Sequence, residues 1–283
     1  MTEEGMLHPM LPRTNDRRLV RARRFALRRM TAPWRASPDF LVAGAMKAGT
    51  SSLFHYLCLH PRIVPPLRKE THYFTVGHRA GREEGWYRAH FPLRARLGRG
   101  ALTGEATPDY LFDPEVPPRI ARALPGIRII LILRDPVTRA VSHYRHEVAQ
   151  GREYLPLDEA LRVEEDRLAR AKAAGPEGYE TWMHASYKAR GLYLDQIRRL
   201  EAVIPRERIL VLGSAALLLR PAEVVARATE FLGLPLEGTY EFPLKNRSKV
   251  RDPVPDETLA GLAEHFAPHN ARLFAHLGFE PDW

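Results

Sequence analysis

Three short stretches of the chain are apolar almost from end to end and bounded by polar residues or glycine: DFLVAG (39–44), IRIILIL (127–133) and RILVLG (208–213). An uninterrupted apolar run of strand length is what a strand covered on both faces requires. The first runs into a glycine loop and then SSLFHYLCLH, where apolar residues fall at helical spacing and stop before Pro61. The second is followed by PVTRAVSHYRHEVAQ, in which Pro136 suits a first helical turn. This alternation predicts an α/β protein, three layers α/β/α with a central mainly parallel sheet. Residues 155–190 read as helices with a break at Gly175-Pro176. Residues 75–100, rich in Gly, Arg and aromatics without a clean period, read as loops over a site.

Composition changes this picture at the N-terminus. The 283 residues suit one large α/β domain. Of the net charge of +9, six units come from residues 1–36, where nine Arg face three acids. The expected organisation is a basic, poorly ordered arm over 1–37 and one domain over 38–283. Arg interleaved with Leu, Val and Phe between 19 and 30 has the pattern of a basic amphipathic helix, and peripheral contact of residues 13–35 with an anionic membrane is one use for it. The domain itself lacks a basic stripe with interleaved aromatics, which argues against nucleic acid as the main partner. No run of about 18 apolar residues predicts a transmembrane span. The first 30 residues lack the apolar core of a secretory signal, so cytoplasm is the default expectation. A single cysteine, Cys58, precludes an intrachain disulfide and fits a reducing compartment.

The candidate chemistry starts at GAMKAGTSS (44–52). Gly44 and Gly49 have the separation of a phosphate-binding loop, G-x-x-x-x-G-K-[ST], but Thr50 stands where that motif carries lysine, and the lysine comes earlier, at Lys47. Glycines let backbone N–H groups turn toward phosphate oxygens, and a helix starting near Thr50 adds its positive end. Thr50, Ser51 and Ser52 add hydroxyl donors. The displaced lysine is suited to the bridging oxygen of a phosphosulfate anhydride rather than to terminal phosphates with Mg²⁺. The plain alternative is a glycine turn with a surface lysine.

Four further segments decide between these. PDFLVAGAMKAGTSSLFHYLCLHP, KETHYF, GEATPDYL and ILRDPVTRAVSHY, in this order, resemble the 3′-phosphoadenosine 5′-phosphosulfate (PAPS)-dependent sulfotransferases. The branch they are most similar to contains the heparan sulfate sulfotransferases and their bacterial relatives, and the resemblance runs from about residue 38 to the C-terminus. It implies the P-loop NTPase-like sulfotransferase fold and PAPS as cofactor, with 3′,5′-bisphosphoadenosine as product and no metal required. The loop residues Lys47, Ala48, Gly49, Thr50, Ser51 and Ser52 would hold the 5′-phosphosulfate. Arg134 and Ser142 would hold the 3′-phosphate, and their placement at a strand end and about two turns into the next helix is compatible with one pocket. An Arg134–Asp135 surface pair is the alternative. Lys245 and Arg247, in KNRSKVRD, resemble a basic loop closing over the cofactor, and Gly191 matches a nearby position.

The resemblance also implies the catalytic set. Glu70 in KETHYF matches the carboxylate base of the heparan branch, His72 is the alternative base, and Lys47 would stabilise the leaving oxygen. Lys69, His72, Glu105 and Asp109 would lie on the acceptor side. The heparan enzymes carry a lysine where this chain has Ala106, which removes a cation expected beside a polyanionic sugar. A neutral or cationic acceptor is therefore expected: a hydroxyl or amine of a carbohydrate, glycolipid or secondary metabolite, in an intracellular bacterial-type enzyme. A kinase-like enzyme would want lysine at position 50 and a Mg²⁺-binding acid at a strand end, and the Arg-rich arm alone would suit a basic surface-binding protein. HEVAQ (146–150) begins like a zinc-hydrolase motif but ends in Gln150, and the i, i+4 pair His265 and His269 flanks Pro268 with no third ligand in view.

Overall fold

The computed structural model describes residues 14–234, 240–243 and 253–283. Five strands form one sheet: β1 (Phe40–Gly44), β2 (Ile63–Val64), β3 (Leu102–Ala106), β4 (Arg128–Leu133) and β5 (Ile209–Gly213). Their order is β2-β3-β1-β4-β5, and every pairing is parallel. The register pairs Phe40 with Gly104 on one side of β1 and with Arg128 on the other, and Ile129 through Leu133 with Ile209 through Gly213. Phe40 through Ala43 and Ile129 through Leu133 are completely inaccessible, which is why these runs carry no polar residue. Strand β3 (LTGEA) escapes an apolar-run criterion because its Thr103 and Glu105 are buried polar residues.

Helices in described order are α1 (Thr14–Met30), α2 (Thr50–Leu57), α3 (Glu84–Arg88), α4 (Val116–Ala123), α5 (Pro136–Ala149), α6 (Leu157–Arg162), α7 (Glu164–Ala173), α8 (Tyr179–His184), α9 (Tyr193–Glu201), α10 (Ser214–Leu219), α11 (Pro221–Phe231) and α12 (Asp256–Leu277). Helices α2 and α11 pack together, α2 against β1 and β3 and α11 against β5. A second group joins α9 to α4 and α12, and α12 to α5. This is the three-layer arrangement expected from the sequence, with the sheet wholly parallel. The break expected at Gly175-Pro176 is the turn between α7 and α8.

Two expectations change. Residues 75–100 carry a five-residue π turn, Tyr73–Gly77, and helix α3, whose aromatic side chains stack: Tyr73 and Tyr87 lie 4.3 Å apart and nearly coplanar. The arm expected to be poorly ordered is helical over Thr14–Met30. Its end is tied to the domain: Arg28 Nε donates to Ala89 O, Arg28 Nη2 donates to Phe91 O at 2.7 Å and Arg35 Nη1 to the same carbonyl at 2.8 Å, and Phe25 lies against Trp86 and His90. Guanidinium donors satisfy carbonyls that α3 leaves without a helical partner. Among the described residues no helix is long and apolar enough to cross a membrane.

The chain runs from β1 outward to β2 and β3 on one side, then returns to β4 and β5 on the other. β1 is thus the switch point of the sheet, and a crevice opens beyond the carboxyl ends of β3, β1 and β4, the place where open parallel sheets bind ligands.

Candidate active site

The loop after β1 occupies that crevice. Gly44 needs its missing side chain, because a Cβ there would lie 2.6 Å from Leu111 Cβ. Gly49 turns the chain into α2 with φ +100°, a conformation reserved for glycine. Lys47 itself adopts φ +67°, at a cost of about 1–2 kcal/mol for an L residue. The start of the loop is clamped from both sides, by Ala45 N–H to Ile132 O (2.7 Å) and by Leu111 N–H to Ala43 O (2.9 Å). Ala48 and Thr50 are buried, Ser51 and Ser52 half-buried. Burial and the neighbouring charge of Arg134 pull the Lys47 ammonium below its ordinary range, against the opposing pull of Glu147 and Glu70. A half-desolvated cation at the head of a glycine cradle is a ready site for an anion.

Arg134 ends β4 beside the loop. Its Nη1 donates to Lys47 O at 3.1 Å and its Nε to Thr138 Oγ1 at 3.0 Å. The alternative Arg134–Asp135 pair does not form. Asp135 caps α5, accepting from Thr138 N at 2.8 Å. Thr138 and Ser142 lie four residues apart on one face of α5, and Arg134, just ahead of the helix, joins them through its bond to Thr138. Thr138 is a member of this row that sequence reasoning passed over, although its i+4 spacing from Arg134 was visible. Gly191 sits apart from the loop: a Cβ there would meet Phe266 at 2.7 Å and Pro136 Cβ at 3.0 Å. Its absent side chain lets α12 close onto the start of α5. Lys245 and Arg247 lie outside the described residues.

The acceptor-side residues separate into two groups. Glu105, expected to meet the acceptor, is completely buried. Its carboxylate accepts from Thr71 N (3.0 Å), Thr71 Oγ1 (2.8 Å), Tyr87 OH (2.8 Å), Thr107 Oγ1 (2.8 Å) and Tyr110 OH (3.0 Å). With both oxygens taken, it fastens the 70–74 segment and α3 to the end of β3 and does not reach the crevice. Lys69, also expected on the acceptor side, turns toward the donor loop: its Nζ donates to Ser51 Oγ at 2.5 Å and pairs with Glu70.

The second group faces the crevice. Glu70 Oε2 lies 3.5 Å from His72 Nε2, and His72 Nδ1 lies 3.4 Å from Asp109 Oδ2. Asp109 Oδ1 accepts from Arg190 Nη1 at 3.0 Å. Burial works against charge on His72, but its bonds to Asp109 and Glu70 outweigh it and raise the imidazole to about 9. Burial likewise opposes ionisation of Glu70, and the bonds from His72 and Lys69 outweigh it, so the carboxyl falls below its ordinary value. At neutral pH the site therefore presents an ionised carboxylate beside a protonated imidazole. Arg190, buried over the Phe112 ring, was not singled out from the sequence. Its position next to Gly191 was the only signal.

The residues of the zinc alternative are engaged elsewhere. Glu147 pairs with Arg152 (2.6 Å), His184 (3.3 Å) and His143 (3.5 Å). His265 and His269 lie on α12, their rings 5.6 Å apart.

A family model described as the sulfotransferase domain matches residues 37–256. The chain belongs to the sulfotransferase family. It is therefore a PAPS-dependent transferase, and the glycine cradle, the desolvated Lys47 and the Arg134 row are donors of the kind that a phosphosulfate and a 3′-phosphate require. The heparan sulfate glucosamine 3-O-sulfotransferase 6 of Homo sapiens is 29% identical over 272 residues, 88% of this chain and 74% of the relative. The membrane-associated sulfotransferase kil1 of Dictyostelium discoideum is 41% identical over 111 residues, 39% of this chain and only 23% of kil1. The crystal structure of a sulfotransferase from Alicyclobacillus acidocaldarius, 32% identical, superposes with a TM-score of 0.71 over 86% of this chain and 97% of that one.

Proposed function

We propose that this sulfotransferase sulfonates a hydroxyl of a carbohydrate acceptor of low negative charge, with Glu70 as general base and Lys47 at the leaving oxygen. The observation that carries the assignment is the pairing of His72 with two carboxylates. An imidazole protonated up to about pH 9 has no lone pair to take a proton, whereas Glu70 is ionised across the working range. Each Glu70 oxygen keeps a lone pair after bonding His72 or Lys69, enough to accept the proton of an acceptor hydroxyl. PAPS, when bound, supplies the activated sulfonate and a phosphate leaving group. Lys47 brings positive charge to the crevice, and Thr50, Ser51 and Ser52 bring hydroxyl donors. Arg134, Thr138 and Ser142 offer a second anion site for the 3′-phosphate.

Support for a carbohydrate hydroxyl comes from the similarity to glucosamine 3-O-sulfotransferases along most of the chain. Support for low charge comes from the residues themselves: Ala106 is buried where the heparan branch carries lysine, and Glu70 and Asp109 bring two carboxylates to His72. Radiolabelled PAPS offered with neutral oligosaccharides, a neutral glycolipid and heparan sulfate tests this. Transfer to the neutral sugars supports the reading, and transfer to heparan sulfate alone overturns it.

A second reading concerns α1. Its outer surface exposes Leu27 (63%), Met30 (74%) and, just beyond, Trp34 (66%), among the exposed Arg23, Arg24 and Arg29. Apolar side chains interleaved with Arg on a helix docked by its other face suit the surface of an anionic bilayer. Co-sedimentation with phosphatidylserine vesicles, against phosphatidylcholine alone, checks it.

A further inference from the structure

The Glu70–His72 pair does not stand alone, and the groups behind it have a task that the reaction itself does not explain. Arg190 is fixed before it reaches Asp109. Its Nε donates to Ser186 Oγ (3.0 Å) and Met183 O (3.2 Å), its Nη2 donates to Met183 O (2.9 Å), and its plane lies over the Phe112 ring at 4.5 Å. Its Nη1 donates to Asp109 Oδ1 at 3.0 Å. The other Asp109 oxygen faces His72 Nδ1, and His72 Nε2 faces Glu70. His72 is held in the left-handed region, φ +52°, which few non-glycine residues adopt. Strain of this kind persists only where surrounding contacts over-determine it.

We propose that Asp109 and Arg190 are positioning residues of the transfer reaction: Arg190 anchors Asp109, and Asp109 holds His72 so that its Nε2–H is directed at the Glu70 carboxylate. This rests on the assignment of Glu70 as base. A side chain on the short loop after β2 has several rotamers. The relay selects one of them from a rigid anchor in the turn Ala189–Gly191 between α8 and α9, and placement to within a fraction of an ångström is what general-base catalysis needs. The charged groups around His72 are Glu70 and Lys69 from its own segment, Asp109 from the turn after β3 with Arg190 behind it, and Lys47 from the glycine loop. The two carboxylates outweigh the cations because they bond the ring directly. Loss of Asp109 would leave His72 free to shed its proton and Glu70 free to turn and to regain basicity.

The test is an NMR pH titration of the His72 ring in the full chain, its resonance assigned by absence in His72→Gln. In the wild type it should titrate near pH 9, in Asp109→Asn more than one pH unit lower, in Arg190→Met lower by less, and in Asp109→Glu close to the wild type. The acid limb of the rate profile with the acceptor found above should move upward in Asp109→Asn, with kcat falling more than KM rises. A wild-type His72 titrating near 6.5, or one unmoved by Asp109→Asn, overturns the proposal, and the wild-type titration decides even where a variant fails to fold. Full turnover by Glu70→Gln would sink the base assignment while leaving the titration result standing, so the two failures are distinct.

Discussion

The two halves of the crevice are built differently. On the donor side, the cradle is one continuous segment, residues 44–52, shaped by Gly44 and Gly49 and met by Arg134, which follows β4 and donates to Lys47 O. On the acceptor side, Glu70, His72, Asp109 and Arg190 come from three distant segments and meet only through ion pairs. Under the proposed assignment, the donor side has to hold phosphates that are the same for every member of the family, and backbone N–H groups with a few cations suffice. The acceptor side would then have to present one reactive carboxylate in one orientation, and that requires a rigid scaffold behind it. Glu105 provides part of this scaffold: it locks the segment carrying Glu70 onto β3 and α3 without entering the crevice itself.

Breaking each half should give a different signature. The largest effect is expected for Glu70→Gln: a loss of roughly 10²–10⁴ in kcat with binding of 3′,5′-bisphosphoadenosine unchanged, measured by turnover and calorimetry on the same preparation. Lys47→Ala should lower kcat by about 10²–10³, as loss of a donor at a developing anion does, and should weaken the nucleotide as well. Arg134→Ala should act on binding: a lost charge-assisted hydrogen bond of roughly 1.5–3 kcal/mol weakens the bisphosphate by about 10–150-fold, with its effect on stability small.

Glu105→Ala separates scaffold from site. It strips the partner from Thr71, Thr107, Tyr87 and Tyr110 in the interior, and each orphaned donor costs roughly 1–3 kcal/mol. Urea denaturation should show a loss of at least about 3 kcal/mol, with calorimetric nucleotide affinity preserved in whatever fraction remains folded.

The pH dependence gives a gentler comparison. His72 is raised in the folded chain to about 9 from an ordinary 6.5, so the stability it contributes is complete below pH 6.5 and is lost as pH rises through 9. Glu70 is depressed, so its contribution is present above the ordinary carboxylate range and lost in acid. Turnover should therefore hold across neutral pH and decline near pH 9. A rate that instead climbs through pH 9 would make neutral His72 the base. The smallest effect is expected at α1: replacing Arg23 and Arg24 by Gln should weaken binding to anionic vesicles by about 1 kcal/mol per residue and leave nucleotide affinity alone.

The difference between the halves is also the difference in what could be read from the chain. Strands β1, β4 and β5 and the glycine loop with Lys47 are visible in the sequence because each is a contiguous pattern whose meaning depends on backbone periodicity and local φ, ψ requirements, whereas Arg134 and Ser142 were implied by motif resemblance. Strand β3 was hidden because its inward positions are polar and paired, and the docking of the amphipathic α1 because a charge-rich segment reads as solvated until the carbonyls of Ala89 and Phe91 receive Arg28. Glu70, His72, Glu105 and Asp109 were identified by motif resemblance, but a motif cannot say which carboxylate points into the crevice. Glu105 and Asp109 stand four residues apart at the same strand end, and only the packing of Thr71, Tyr87 and Tyr110 around one, and of His72 and Arg190 around the other, gives them opposite roles. The sequence by itself determined the parallel sheet and the glycine loop, since these follow from short-range periodicity and local turn chemistry, and its motifs implied the class of reaction through their resemblance to a family. The protonation of His72, the burial of Glu105 and the anchoring by Arg190 were decided by tertiary structure, because electrostatics and desolvation depend on which distant groups the fold brings within a few ångströms.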